Sequence, residues 1–67
     1  MTADELKEAW LNDENVLYEG AEWKLTAVIY RKGLKRERIV SAELLPLNGA
    51  NSLTYAAAKD IERIKND

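Results

Sequence analysis

Residues 23–45 read Trp23-Lys24-Leu25-Thr26-Ala27-Val28-Ile29-Tyr30-Arg31-Lys32-Gly33-Leu34-Lys35-Arg36-Glu37-Arg38-Ile39-Val40-Ser41-Ala42-Glu43-Leu44-Leu45. In the first part Trp23, Leu25, Ala27 and Ile29 alternate with Lys24, Thr26, Val28 and Tyr30. A period of two, built from residues that suit a pleated surface, predicts a β-strand. Lys32-Gly33 is a turn signal, and strand character resumes at about Lys35. There Arg38, Val40, Ala42 and Leu44 alternate with Ile39, Ser41, Glu43 and Leu45. Pro46 and Asn48-Gly49 then break the pattern. The stretch predicts a long antiparallel hairpin.

Upstream, Val16-Leu17-Tyr18 before Gly20 adds a short strand, giving a three-stranded meander. Thr2-Ala3-Asp4-Glu5 fits a capping box, with a hydroxyl at the N-cap and a carboxylate three residues on. Asp4 and Glu5 also suit the positive end of a helix dipole. Leu6 and Trp10 share a face, with Ala3 and Ala9 beside them, so a helix is expected over residues 3–11. Downstream, two readings stand. As a helix, the tail from Asn51 to Asp67 puts Leu53, Ala57, Ile61 and Ile64 on one side, capped by Asn51 or Ser52. As β structure, Leu53-Thr54-Tyr55 is a strand, residues 57–60 are one helical turn, and residues 61–64 are a last short strand. The second option leaves no bare three-stranded sheet with exposed edges.

Val16 to Leu25 resembles the first strand and turn of an SH3-like small barrel. The hairpin from Ala27 to Leu45 resembles its long central pair. Asn51 to Tyr55, followed by Ala58-Lys59-Asp60-Ile61-Glu62, is similar to the ending of such barrels, where a strand passes through one 3₁₀ turn into a closing strand. Ala56-Ala57-Ala58 departs from that ending, which usually carries a proline or a polar residue. The whole pattern also resembles small uncharacterised proteins of Gram-positive phages and mobile elements, which pair an N-terminal helix with this arrangement. The resemblance covers about residues 14–64. It implies a mainly β fold, a small SH3-like antiparallel barrel with an N-terminal helix capping one end through Leu6 and Trp10. The alternative is α+β, with a helix, a three-stranded meander and a C-terminal helix. The resemblance implies no activity.

The 67 residues make a single domain, 1–67, with a core too small for a deep substrate pocket. Hydrophobic residues make up 46% of the chain, too many for a disordered one. No apolar run is long enough to cross a bilayer. The acidic start, with no hydrophobic stretch behind it, does not read as a signal peptide, so a cytoplasmic location is expected. There is no cysteine and no histidine. That removes disulfides, thiolate zinc sites, the thiol nucleophile and the commonest general base. Asp13/Glu14 and Asp60/Glu62 are carboxylate pairs in polar stretches, whereas a catalytic pair needs one member in an apolar pocket. The isolated glycines make no phosphate loop. The expectation is a non-enzymatic domain without metal or cofactor.

Charge is divided along the chain. Residues 1–22 hold seven acids and one base, whereas residues 23–38 hold six bases and one acid. A hairpin tip would therefore project Arg31, Lys32, Lys35, Arg36 and Arg38. These could contact the phosphates of a nucleic acid, with Tyr30 adding stacking. They also suit a solubilising turn that protects a strand end. Tyr18, Trp23, Tyr30 and Tyr55 could line a groove for an extended peptide of a protein partner, or serve as core and sheet residues, while Trp10 anchors the helix or joins the partner-binding residues. The helix could dock on a second copy, making a homodimer. The function expected first is protein–protein interaction, and the second is nucleic-acid binding through residues 31–38.

Overall fold

The computed structural model describes residues 1–64 of the chain. Helix α1 (Ala3–Leu11) starts where the capping box predicts. The Thr2 hydroxyl accepts from the Glu5 N–H at 3.1 Å, and the Glu5 carboxylate accepts from the Thr2 N–H at 2.9 Å. The helix ends in a Schellman motif. Asp13 takes a left-handed φ of 55°, its N–H donates to Trp10 O, and the Glu14 N–H donates back to Ala9 O at 2.8 Å.

Strand β1 (Asn15–Tyr18) follows, then β2 (Ala21–Lys32) and β3 (Arg38–Pro46). Tyr18 and Ala21 pair across a two-residue turn in which Glu19 and Gly20 both have positive φ, 52° and 75°. That is the type I′ geometry, whose twist matches a hairpin. The tail forms β4 (Thr54–Ala57), a 3₁₀ turn (Ala58–Asp60) and β5 (Ile61–Arg63). The C-terminal helix of the α+β alternative is therefore not adopted, and its last residues, 65–67, lie outside the described residues. Tertiary pairing overrides the helix preference of the three alanines: Ala56 and Ala57 pair with Ala42 and Ser41 of β3, and Ala56 and Ala58 are buried.

The fold is mainly β, an open antiparallel sheet in the order β4-β3-β2-β1-β5 with one N-terminal helix. A flat sheet would hold its edge strands about 19 Å apart. Only the 3₁₀ turn joins Ala57 to Ile61, a link that reaches about 14 Å when fully extended. The sheet must therefore curl, and its concave face is the core. Leu6 and Ala9 of α1 pack there with Val16, Leu25, Ala42, Leu44, Ala56 and Ile61. The Met1 amino group donates to Ala58 O and Ile61 O, tying the helix start to the 3₁₀ turn. Arg63 of β5 reaches Glu8 at 2.9 Å and Glu14 at 3.1 Å.

One face assignment differs from the sequence reading. The β2–β3 register shifts between Leu25 and Ala27. This bulge at Thr26 reverses the parity of everything after it. Val28, not Ala27 or Ile29, joins Leu25 on the inner face, where it pairs with Ala42 and packs against the core. Thr26 uses its hydroxyl to hold the bulge, donating to Glu43 O at 3.0 Å.

Candidate functional site

Beyond the core, β2 and β3 continue as a two-stranded arm. Tyr30 pairs with Val40, Arg31 with Ile39, and Lys32 with Arg38. The arm turns through Leu34, Lys35 and Arg36. Arg36 N–H donates to Gly33 O at 3.0 Å, and Gly33 N–H to Glu37 O at 2.8 Å. Arg36 carries a φ of 62°, the left-handed position of a three-residue hairpin loop. Glycine is the usual occupant of such a position, yet here Gly33 is one residue before the loop and serves another purpose. The Glu37 carboxylate folds over it to accept the Lys35 N–H at 2.9 Å, in space that a β-carbon would fill. The turn thus falls at residues 34–36 rather than on Lys32-Gly33.

The five predicted bases are all exposed on this arm. They do not share one face. Lys32 and Arg38 oppose each other on the inner side, Arg31 points with Ile39 to the outer side, and Lys35 and Arg36 occupy the tip. Two cations directly across a ladder repel. Among the described residues, the ion pairs belong to Arg63, and none offsets these five charges.

The five aromatics separate into three places rather than one groove. Tyr18 and Trp23 form an edge-to-face pair, 6.2 Å between centroids, and the Trp23 indole N–H donates to Tyr18 O. The Tyr18 hydroxyl titrates above its ordinary range, chiefly because of the Glu19 charge and then burial. Tyr55 is on the outer face of β4, 57% exposed. Trp10 and Tyr30 belong together. Trp10 is 47% exposed and donates its indole N–H to Thr26 O at the bulge, at 3.1 Å. With Lys7, Ala27, Val28 and Tyr30 it lines a groove of about 410 Å³ between α1 and β2. Tyr30, 61% exposed, also borders a second groove with Asp4, Lys32, Arg38 and Val40.

The backbone beside this groove is open. β1 pairs with β2 only as far as Lys24, so from the bulge to Lys32 that side of β2 faces no strand among the described residues. The Gly33 N–H points toward β3. Backbone groups alternate in direction along a strand. The N–H and C=O of Ile29 and Arg31 therefore also face β3, and those of Val28, Tyr30 and Lys32 face the open edge. No described loop or side-chain bond reaches these three residues.

No family model, curated protein or solved structure matches this chain.

The free edge is a feature the sequence reading missed. Its signal was the length mismatch between the short strand at Val16 and the long run from Trp23, which leaves part of the longer strand without a partner on one side. Of the carboxylate pairs, Asp13, Asp60 and Glu62 are exposed. Glu14 is engaged by Arg63 and Asn12, which hold it below the ordinary glutamate range. No group of three acids among the described residues is placed to hold a metal ion, and no described helix is long and apolar enough to cross a membrane.

Proposed function

We propose that this domain is a non-enzymatic protein-binding module that takes up an extended segment along the free edge of β2. The observation that carries this reading is the outward backbone of Val28, Tyr30 and Lys32, next to a groove walled by Trp10 and Tyr30. Main-chain pairing at a sheet edge supplies affinity, and a flanking aromatic groove supplies selectivity. The architecture read with it is a small SH3-like barrel. The strand order and the 3₁₀ turn between β4 and β5 support that reading.

A displayed library of short random peptides tests the function. Selected peptides should slow hydrogen exchange at the amides of Val28, Tyr30 and Lys32. Tyr30→Pro should abolish their binding, because the ring removes an outward N–H at no cost to the β2–β3 ladder. Peptides that bind while leaving those three amides unchanged would overturn the reading.

A second reading has its own observation. The arm gathers five bases with no acid partner among the described residues, and sets Lys32 against Arg38. Such an arm suits the phosphates of a nucleic acid. Binding to single- or double-stranded oligonucleotides should fall log-linearly with salt and vanish in the double variant Arg36→Ala, Arg38→Ala. No binding at low salt removes this reading.

A further inference from the structure

The edge proposed above as a binding site also restricts what can occupy it. We infer that its occupant is a second copy of this chain, paired antiparallel, β2 to β2, about a two-fold axis at Tyr30. This rests on the edge reading and names its partner.

The register follows from the direction of the backbone groups. Only Val28, Tyr30 and Lys32 present both N–H and C=O to the edge. A symmetric antiparallel ladder must oppose outward residues to outward residues. The register that uses all three sets Tyr30 against Tyr30 and Val28 against the second copy's Lys32. The two Tyr30 rings then meet between the two grooves.

The arm then runs on past Val28 of the other copy. Leu34 opens the loop two residues after Lys32, so this register carries the tip of the arm toward the Thr26 end of the other copy's β2, where the Trp10 indole covers the bulge. Leu34 is fully exposed at 106%, an apolar side chain at the end of a charged arm that no described residue covers. Trp10 of a second copy gives it a contact.

Charge points the same way. The arm's Lys35 and Arg36 occupy its tip, past the last paired residue of β2. Residues 1–22 have a net charge of −6 and residues 23–38 of +5. Within one chain Asp4 shares a groove with Lys32 and Arg38, whereas Lys35 and Arg36 at the tip pair with no acid among the described residues. Across the two-fold axis each basic arm meets the acidic start of the other copy, twice over, and the interface closes on itself.

Sedimentation equilibrium across a wide concentration range tests this, together with hydrogen exchange at each concentration. The expected result is a concentration-dependent dimer in which the amides of Val28, Tyr30 and Lys32 become protected together. Added salt should weaken it. The double variant Lys35→Glu, Arg36→Glu should raise the dissociation constant at least tenfold, and Leu34→Ser should also raise it. Tyr30→Pro should give a monomer with an unchanged circular dichroism spectrum. A chain that stays monomeric at millimolar concentration overturns the inference. So does a dimer whose protected amides lie elsewhere. If that monomer still takes library peptides at Val28–Lys32, the edge reading stands and only the second copy falls. If it binds oligonucleotides through the arm, the arm's partner is nucleic acid instead.

Discussion

At Arg36 a side chain holds a left-handed backbone that costs an L-residue about 1 kcal/mol or more. The next residue, Glu37, spends its carboxylate on the Lys35 N–H rather than on the cations around it. Glycine at 36 would relieve that cost, as it would at Asp13 and Glu19, which share the left-handed φ. Arg36→Gly should raise stability by about 1 kcal/mol, read from the urea midpoint at constant slope. The same variant should weaken self-association. A variant that is both less stable and equally associated contradicts the geometry and the inferred dimer. Gly33→Ala should be milder, below about 1 kcal/mol, because the far end of Glu37 can swing aside and gives up one exposed hydrogen bond. The sequence placed a turn here correctly, since Lys32-Gly33 lies beside it. It misplaced the loop because glycine's tolerance of close approach and its tolerance of positive φ look the same in a sequence.

The elements show a similar division between local chemistry, which sequence carries, and cross-chain chemistry, which it does not. Helix α1 was legible to the residue, because the Thr2–Glu5 capping box lies wholly within four positions. The tail was legible only as two alternatives, because the pairing of Ala56 with Ala42 lies fourteen positions away and costs the alanines their local preference. The inner face of β3 was legible from alternation. That of β2 was legible only up to Thr26, where a bulge fixed by Glu43 of the next strand reverses the pattern. The helix yields a prediction with a sign. Glu5 is held below the ordinary glutamate range, first by its hydrogen bond from the Thr2 N–H, and Glu14 first by its hydrogen bond from Arg63. Groups with lowered folded-state pKa values stabilise the protein above their unfolded values, and lose that contribution as pH falls through the lowered ones. Unfolding measured from neutrality downward should therefore show stability declining below about pH 4. Thr2→Ala should cost about 1 kcal/mol at pH 7. Glu5→Ala removes the other bond of the box, which Thr2→Ala leaves in place because its donor is the backbone N–H, and the penalty of that variant should shrink in acid, where protonated Glu5 accepts less strongly. A penalty independent of pH would mean the reciprocal bond contributes nothing.

For the whole molecule, the size of the core decides what it can lose. Among the described residues four large side chains are fully buried: Leu6, Val16, Leu44 and Ile61. They come from α1, β1, β3 and β5, so each fastens a different element to the same small volume. Net stability of a domain this size is about 3–5 kcal/mol without a staple. Truncating a buried leucine costs about 2–5 kcal/mol, and the cost is greatest where neighbours cannot close the gap. Leu44 is central in β3 between Leu25 of β2 and Thr54 of β4, with ladders on both sides to hold the backbone in place. Leu44→Ala should therefore remove most or all of the folding free energy, leaving a chain largely unfolded at 37 °C by circular dichroism. Leu34→Ala, a change of the same chemistry at a fully exposed position, should leave the dilute monomer's unfolding midpoint within error. Concentration then distinguishes the two roles. Partner binding stabilises a folded state by mass action. The midpoint of the unmodified chain should climb with protein concentration, and that climb should flatten in Leu34→Ala, although the two proteins unfold alike when dilute. A midpoint that ignores concentration in both would leave Leu44 as a core residue and Leu34 as no more than a solvated turn.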